Sequence, residues 1–428
     1  MTRDLIGYGR AGRTVRWPGG ARVAVCLVVN YEEGAEQSFW AGDRRNEIPQ
    51  EFDYPPLGVR DLGNESIFEY GARAGIWRLQ RLFDTLRLPV TIQGCAQAFE
   101  LNPEVGAWIE EAGHDVCCHG YRWENVSVLP REVERERLAM AIESITSTCG
   151  RRPRGWYSRQ PASVNTRELL VEEGGFLYDS DSFADDLPYY TEVLGRRHLI
   201  IPYSFTLNDG RFLPGQSYSG PEVFLDHCRR AFDQLWEEGG AGQPKMMTIG
   251  LHPRFVGQPA RAHALGEFLR YAQDRGEVWF AGREDIARLW LGRSWAFELC
   301  DSLLAATGAS RTTVRLGEAE LAAESRAPGV RGMDAGPAID PRAFPTYQYL
   351  RDERRLLIQD DCRTGDPRPP ASLVEHHRVY AQMLAPIVVR GELAGTISVH
   401  QQDTTRTWTD AEVAALAAAR ARAEKELG

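Results

Sequence analysis

The chain contains no C-x-x-C pair. Its eight cysteines, Cys26, Cys95, Cys117, Cys118, Cys149, Cys228, Cys300 and Cys362, are scattered and read as reduced thiols. No run approaches the roughly twenty apolar residues of a membrane span. The opening stretch MTRDLIGYGRAGRTVRWPGG has no apolar core long enough for a signal peptide. There is no G-x-G-x-x-G and no phosphate loop, so a nucleotide role lacks support. Excess positive charge is missing too: the formal net charge is −10, which argues against nucleic acid or an anionic membrane as partner. These absences predict an acidic, soluble, cytoplasmic protein.

What is present is enough for two packed domains. The chain has 428 residues, of which 43% are hydrophobic. From Arg22 to about Trp295, strand-like runs (VAVCLVVN, LPVTIQG, HDVCCHG, RGWYS, GFLYDSD, HLIIPYS, KMMTIGLH and EVWFAG) alternate with amphipathic stretches. Phe68 to Leu86 has helical spacing. Asn102-Pro103 and Asn165 are expected to open helices, and Pro221 opens another. Nearly continuous apolar strands separated by helices imply a parallel sheet with helices outside, closed as a barrel. The expected domains are 1–295, catalytic, and 296–428, a smaller α+β unit. In the second, RTTVRLG, RRLLIQDD and a hairpin turning at Arg390-Gly391 read as strands. Residues 324–345 read as a loop, and Thr409 and Glu412 as a capping box on the last helix.

Three polar segments follow apolar runs directly: VVNYEEG, CCHGYRWEN and IGLHPRFVG. In alternating strand–helix folds the strand C-termini face the mouth where chemistry is done. Glu32 and Glu33 end the first run. Neighbours on a strand point to opposite faces, so one of them looks into the mouth as a base or metal ligand. His119 ends the second, and the position four residues on is Trp123, which breaks the H-x-x-x-H pattern. Cys117 and Cys118 read as core thiols, His114 as a surface residue. His252 and Arg254 end the third, with His252 a candidate general acid. Arg159 is expected to pair with Glu32 or Glu33. Among Asp179, Asp181, Asp185 and Asp186, one is expected to orient a catalytic histidine or arginine, and others to cap or order a loop.

Together with YGARAGIWRLQRLF, GWYSRQPASVNTRELLVEEGG and IPYSFTLNDGRF, these segments resemble the polysaccharide deacetylase superfamily, and within it the allantoinase-like and cyclic-imide-hydrolase-like branch. The resemblance runs from about Asp4 to about Trp290. It implies a deformed (β/α) barrel of about seven strands that assembles as a homo-oligomer, a dimer or tetramer. In metal-dependent members the first motif supplies a base and a metal-binding aspartate, and the second two histidine ligands. Here these positions are Glu32 and Glu33, His119, and Trp123 in place of the second histidine. The branch resemblance implies hydrolysis without metal. No cofactor is expected, and a weakly bound divalent metal on Glu33 and His119 is the fallback. His252 matches the late-motif acid, and the spacing around Arg159 departs from the allantoinase pattern. Residues from Ala296 onward resemble a GAF domain, in MLAPIVVRGELAGTISVHQQDTTRTWTDAEVAALAAAR.

The resulting expectation is a hydrolase that opens a cyclic amide, imide or ureide ring. Glu32, Glu33, His119 and His252 are its catalytic residues, and Trp123, Tyr157, Arg159, Asn208 and Arg254 bind the substrate. The alternatives are a metal-dependent carbohydrate N-deacetylase and a non-catalytic barrel coupled to a GAF sensor.

Overall fold

The computed structural model describes residues 3–10, 12–13, 15–47, 58–213, 215–317, 319–327, 330, 333 and 341–428. The chain divides into two compact units. One comprises Ala21–Glu237 and Lys245–Leu289, the other Met1–Gly20, Glu238–Pro244 and Trp290–Gly428.

The larger unit is built on β1 (Val23–Tyr31), β2 (Thr91–Gly94), β3 (Asp115–Cys118), β4 (Gly155–Trp156), β5 (Tyr178–Asp179), β6 (Tyr189–Val193), β7 (Arg196–Ile200), β8 (Lys245–Leu251) and β9 (Val278–Phe280). All nine residues of β1 are buried, as expected for a central parallel strand covered on both faces. The sheet order is β6-β7-β5-β4-β3-β2-β1-β8, with β9 also paired to β1. Every pairing is parallel except the β6–β7 hairpin. The sheet curls into the expected deformed barrel. Its far edge is bridged to connecting segments by Met246 N–H to the Asp186 carbonyl (2.9 Å) and Gly250 N–H to the Leu207 carbonyl (2.8 Å).

Several local expectations are revised. The span from Phe68 to Leu86 is helical throughout, as expected, but Leu62–Tyr70 and Ile76–Leu86 are joined by an unforeseen π-helical turn at Gly71–Gly75. Packing explains the turn. A Cβ at Gly75 would overlap the Pro253 carbonyl, and one at Gly71 the Glu33 carboxylate. Asn102 and Asn165 precede helices Pro103–Ala112 and Thr166–Glu173 but make no side-chain cap bond. Asn102 reaches the Ala72 carbonyl instead (3.4 Å). His114 is buried edge-on against Trp108, with ring centroids 4.8 Å apart, rather than at the surface.

The second unit carries an antiparallel sheet of β10 (Arg311–Leu316), β11 (Glu320–Arg326), β12 (Leu357–Gln359), β13 (Val379–Val389) and β14 (Glu392–Gln402), in the order β11-β10-β14-β13-β12. The hairpin turns at Arg390 and Gly391, with φ of 50° and 83°, the left-handed pair that a two-residue loop requires. Thr409 and Glu412 form the expected capping box. Strand β11 and helix Pro345–Glu353 went unforeseen. Most of the loop expected over residues 324–345 lies outside the described residues.

All eight cysteines are buried and unpaired. Burial pushes the thiols up, to about 12 for Cys26 and Cys118 and about 11 for Cys149. Among the described residues no helix is long and apolar enough to cross a membrane.

Two predictions follow from this packing. Gly75→Ala should destabilise the chain by about 1–3 kcal/mol, the usual cost of overpacking, because the Pro253 carbonyl is backbone and cannot step aside. Denaturant unfolding checks this, and an unchanged midpoint would show that the turn relaxes freely. The second concerns Asp115, whose carboxylate accepts from Thr91 Oγ1 (2.9 Å) and Glu284 N–H (3.0 Å). Burial raises its pKa to about 6, with the Glu284 N–H opposing. The folded state therefore holds a proton that the unfolded chain has already released. Stability from this site is present below about pH 4 and is lost as pH rises through about 6. Asp115→Asn should flatten that part of the stability profile, and an unchanged slope between wild type and variant would refute the assignment.

Candidate active site

The site lies where β1, β3, β4 and β8 end. His119 and Tyr157 extend the sheet by one residue each, His119 N–H bonding to the Gly94 carbonyl (2.9 Å) and Tyr157 N–H to the Cys118 carbonyl (3.0 Å). This ladder fixes the side chains that project into the mouth.

Glu32 is the centre. Its Oε1 lies 3.1 Å from His119 Nε2 and 3.8 Å from His252 Nε2, and its Oε2 accepts from Arg254 Nη2 at 2.6 Å. His119 Nδ1 lies 2.6 Å from the Tyr157 carbonyl. A carbonyl only accepts, so Nδ1 carries a hydrogen and Nε2 is the nitrogen turned to the carboxylate. The Tyr157 ring stacks on the imidazole with centroids 5.2 Å apart. Burial alone would raise the Glu32 pKa. Arg254, then His252 and His119, outweigh it and hold the carboxyl well below its usual range.

His252 is held from behind. Asp209 Oδ1 lies 2.5 Å from its Nδ1, and Asp209 Oδ2 accepts from the backbone N–H of His252 (2.7 Å) and Val256 (3.0 Å). Asp209 is wholly buried and opens a 3₁₀ turn, Asp209–Phe212, capped by Asn208. The imidazole thus has one carboxylate at each nitrogen.

Glu33, like Glu32, lies just past the end of β1, and its carboxylate converges on the same guanidinium instead of pointing to the opposite face. Its Oε2 accepts from the Glu32 backbone N–H (2.9 Å), its Oε1 lies 3.4 Å from Arg254 Nη1, and it packs on Gly71. Burial raises its pKa despite Arg254, with Glu32 pushing the same way.

The structure redistributes the arginine roles. Arg159 does not reach Glu32 or Glu33. It makes a two-pronged pair with Glu47 (2.8 and 3.0 Å), donates to the Trp123 carbonyl (2.9 Å) and lies 4.0 Å from the centre of the Trp123 ring. Arg254 is the guanidinium on the carboxylates, 3% exposed and packed on Phe68, Phe255 and Trp123 at 4.7, 4.7 and 5.4 Å. Trp123 is half-buried between the two arginines. Asn208 donates from Nδ2 to the Tyr203 hydroxyl (3.2 Å) and caps its own turn through Oδ1. The Tyr203 hydroxyl also accepts from Asn30 Nδ2 (2.8 Å).

The aspartate that orients a catalytic histidine is not in the Tyr178–Tyr190 segment. Asp179 binds Arg167 and His198, and Asp181 binds Ser158. Asp209 and Tyr203 were missed by sequence reasoning. The available signal was the Asn-Asp-Gly turn just after the buried Leu207.

The residues present do not fit the divalent ion of metal-dependent deacetylases. Trp123 stands at the second histidine position, and a guanidinium already sits on both carboxylates of the first motif. Among the described residues no three His, Cys, Asp or Glu side chains group to hold a metal.

Comparison with known proteins agrees with this architecture. The polysaccharide deacetylase family model matches residues 66–173, and the GAF domain model matches residues 296–427. A Schizosaccharomyces pombe protein named for the polysaccharide deacetylases is 38% identical over 310 residues, covering 68% of this chain and 97% of the relative. The solved structure of Puue allantoinase shares 44% identity at a TM-score of 0.65, over 68% of this chain and 97% of its own. One from Pseudomonas aeruginosa PAO1, again named for the polysaccharide deacetylases, shares 46% identity at a TM-score of 0.65, over 68% of this chain and 98% of its own. The chain belongs to the polysaccharide deacetylase family of hydrolases acting on carbon–nitrogen bonds and carries a GAF domain at its C-terminal end.

Proposed function

We propose that this chain hydrolyses a cyclic amide, imide or ureide ring without a metal ion. The observation that carries the reading is the surroundings of Glu32: two histidines and a buried guanidinium on one carboxylate, where the metal-dependent reaction would need an ion. The 44% identity to Puue allantoinase supports a ring amide as substrate. When the leaving nitrogen is itself acylated, its negative charge is delocalised, so the loss of a strong Lewis acid is tolerable.

In the proposed reaction a water beside Glu32 Oε1 gives its proton to that carboxylate while its oxygen bonds to the ring carbonyl carbon. The carbonyl electrons move to oxygen, and the charge develops in the field of Arg254. Collapse restores the carbonyl and breaks the C–N bond. The departing nitrogen takes the Nε2 proton of His252, whose Nδ1–H stays on Asp209 throughout. The proton on Glu32 then passes across the 3.8 Å to His252 and resets both groups. His119, its tautomer fixed by Tyr157, orients the water or the substrate. Trp123 forms a flat wall against the ring.

Glu32→Gln and His252→Ala should each lower kcat by roughly a hundredfold or more. Asp209→Asn should lower it through misorientation of His252. The measurement is turnover of allantoin, hydantoin and succinimide with and without a chelator, beside an N-acetylated chitooligosaccharide. Ring opening that survives exhaustive chelation is expected. The kinship with named polysaccharide deacetylases favours the second reading, and acetate release from the oligosaccharide that requires added metal would establish it in place of the first.

A further inference from the structure

We infer that the Arg254 guanidinium holds the place of the divalent cation, and that it excludes the ion as effectively as the loss of a histidine at Trp123 does. This rests on the metal-free part of the ring-opening reading, and it is tested by zinc binding alone, apart from turnover of any substrate.

The groups a metal would draw on are already committed. Glu32 Oε2 and Glu33 Oε1 both face Arg254, at 2.6 and 3.4 Å. The remaining Glu33 oxygen takes the Glu32 backbone N–H (2.9 Å), and Glu32 Oε1 lies against His119 Nε2 (3.1 Å). His119 can offer only Nε2, because Nδ1–H is held by the Tyr157 carbonyl, and that nitrogen faces Glu32 Oε1. An incoming cation would therefore have to displace a like charge.

That charge has little freedom to leave. Arg254 is 3% exposed, and the rings of Phe68, Phe255 and Trp123 lie against it. Its backbone follows Pro253, whose carbonyl is clamped between Gly75 and Gly257: a Cβ on either glycine would overlap that oxygen. The guanidinium is planar, permanently charged and weakly hydrated, and so suits a dry site better than an ammonium. A histidine at position 123 would stand beside this guanidinium, which lies 5.4 Å from the centre of the Trp123 ring. Restoring the missing ligand alone should therefore fail to restore metal binding.

The test is calorimetric titration of the full chain with Zn²⁺ for the native protein, Trp123→His, Arg254→Met and the double variant, with circular dichroism to check folding. Native protein and Trp123→His should bind no zinc at micromolar concentration. The double variant should take up one zinc at least tenfold more tightly than Trp123→His, and adding His119→Ala should abolish it. If Arg254→Met does not fold, Arg254→Gln, neutral but still a donor to Glu32, replaces it in the same comparison. Trp123→His binding zinc as tightly as the double variant would overturn the inference, since the histidine alone would then have been lacking. So would a folded double variant that binds no zinc, or binding that persists without His119.

Discussion

Three charges taken out of water at the end of β1 constrain the surrounding architecture. Glu32 and Glu33 are buried side by side, and two adjacent carboxylates in a dry site repel each other and lose hydration. Arg254 is the counter-charge that makes the pair tenable, and it must be buried with them. Removing one member of such a group typically costs about 3–5 kcal/mol because the remaining charge is left uncompensated. The aromatic wall of Phe68, Trp123 and Phe255, the glycines that let Pro253 approach, and the cross-strand placement of His119 all serve that arrangement.

A second layer gives this charged centre its direction. Backbone acceptors and one aspartate set which nitrogen of each histidine faces Glu32: the Tyr157 carbonyl for His119, Asp209 for His252. Neither histidine is left to choose its tautomer. Arg159, held by Glu47, braces Trp123 through its carbonyl and its ring.

The clustered carboxylates, both histidines and Arg254 were legible in the sequence because each follows an apolar run, and buried parallel strands leave strong apolar signatures. The choice between Glu32 and Glu33 was not legible. Both lie in the turn just after β1 and both carboxylates reach Arg254, so strand alternation does not separate them. Arg159 was misassigned because its partner, Glu47, lies in an irregular segment far away in sequence. Asp209 escaped because Asn-Asp-Gly reads first as a turn, and its contact with His252 spans 43 residues. The π-helical turn at Gly71–Gly75 was hidden for a related reason: the helical period continues through it, and the two glycines are accounted for by the Glu33 carboxylate and the Pro253 carbonyl packed against them.

The burial of every cysteine has a consequence of its own. A thiol reacts as the thiolate, and burial both withholds that form and blocks the approach of a reagent. The intact fold is in this sense chemically silent towards alkylating and oxidising agents. Six of the thiols, Cys26, Cys95, Cys117, Cys118, Cys149 and Cys228, belong to the barrel unit, and two, Cys300 and Cys362, to the other. The chain therefore carries an internal clock for its own opening: the order in which these positions become labelled records which unit breathes first and how often.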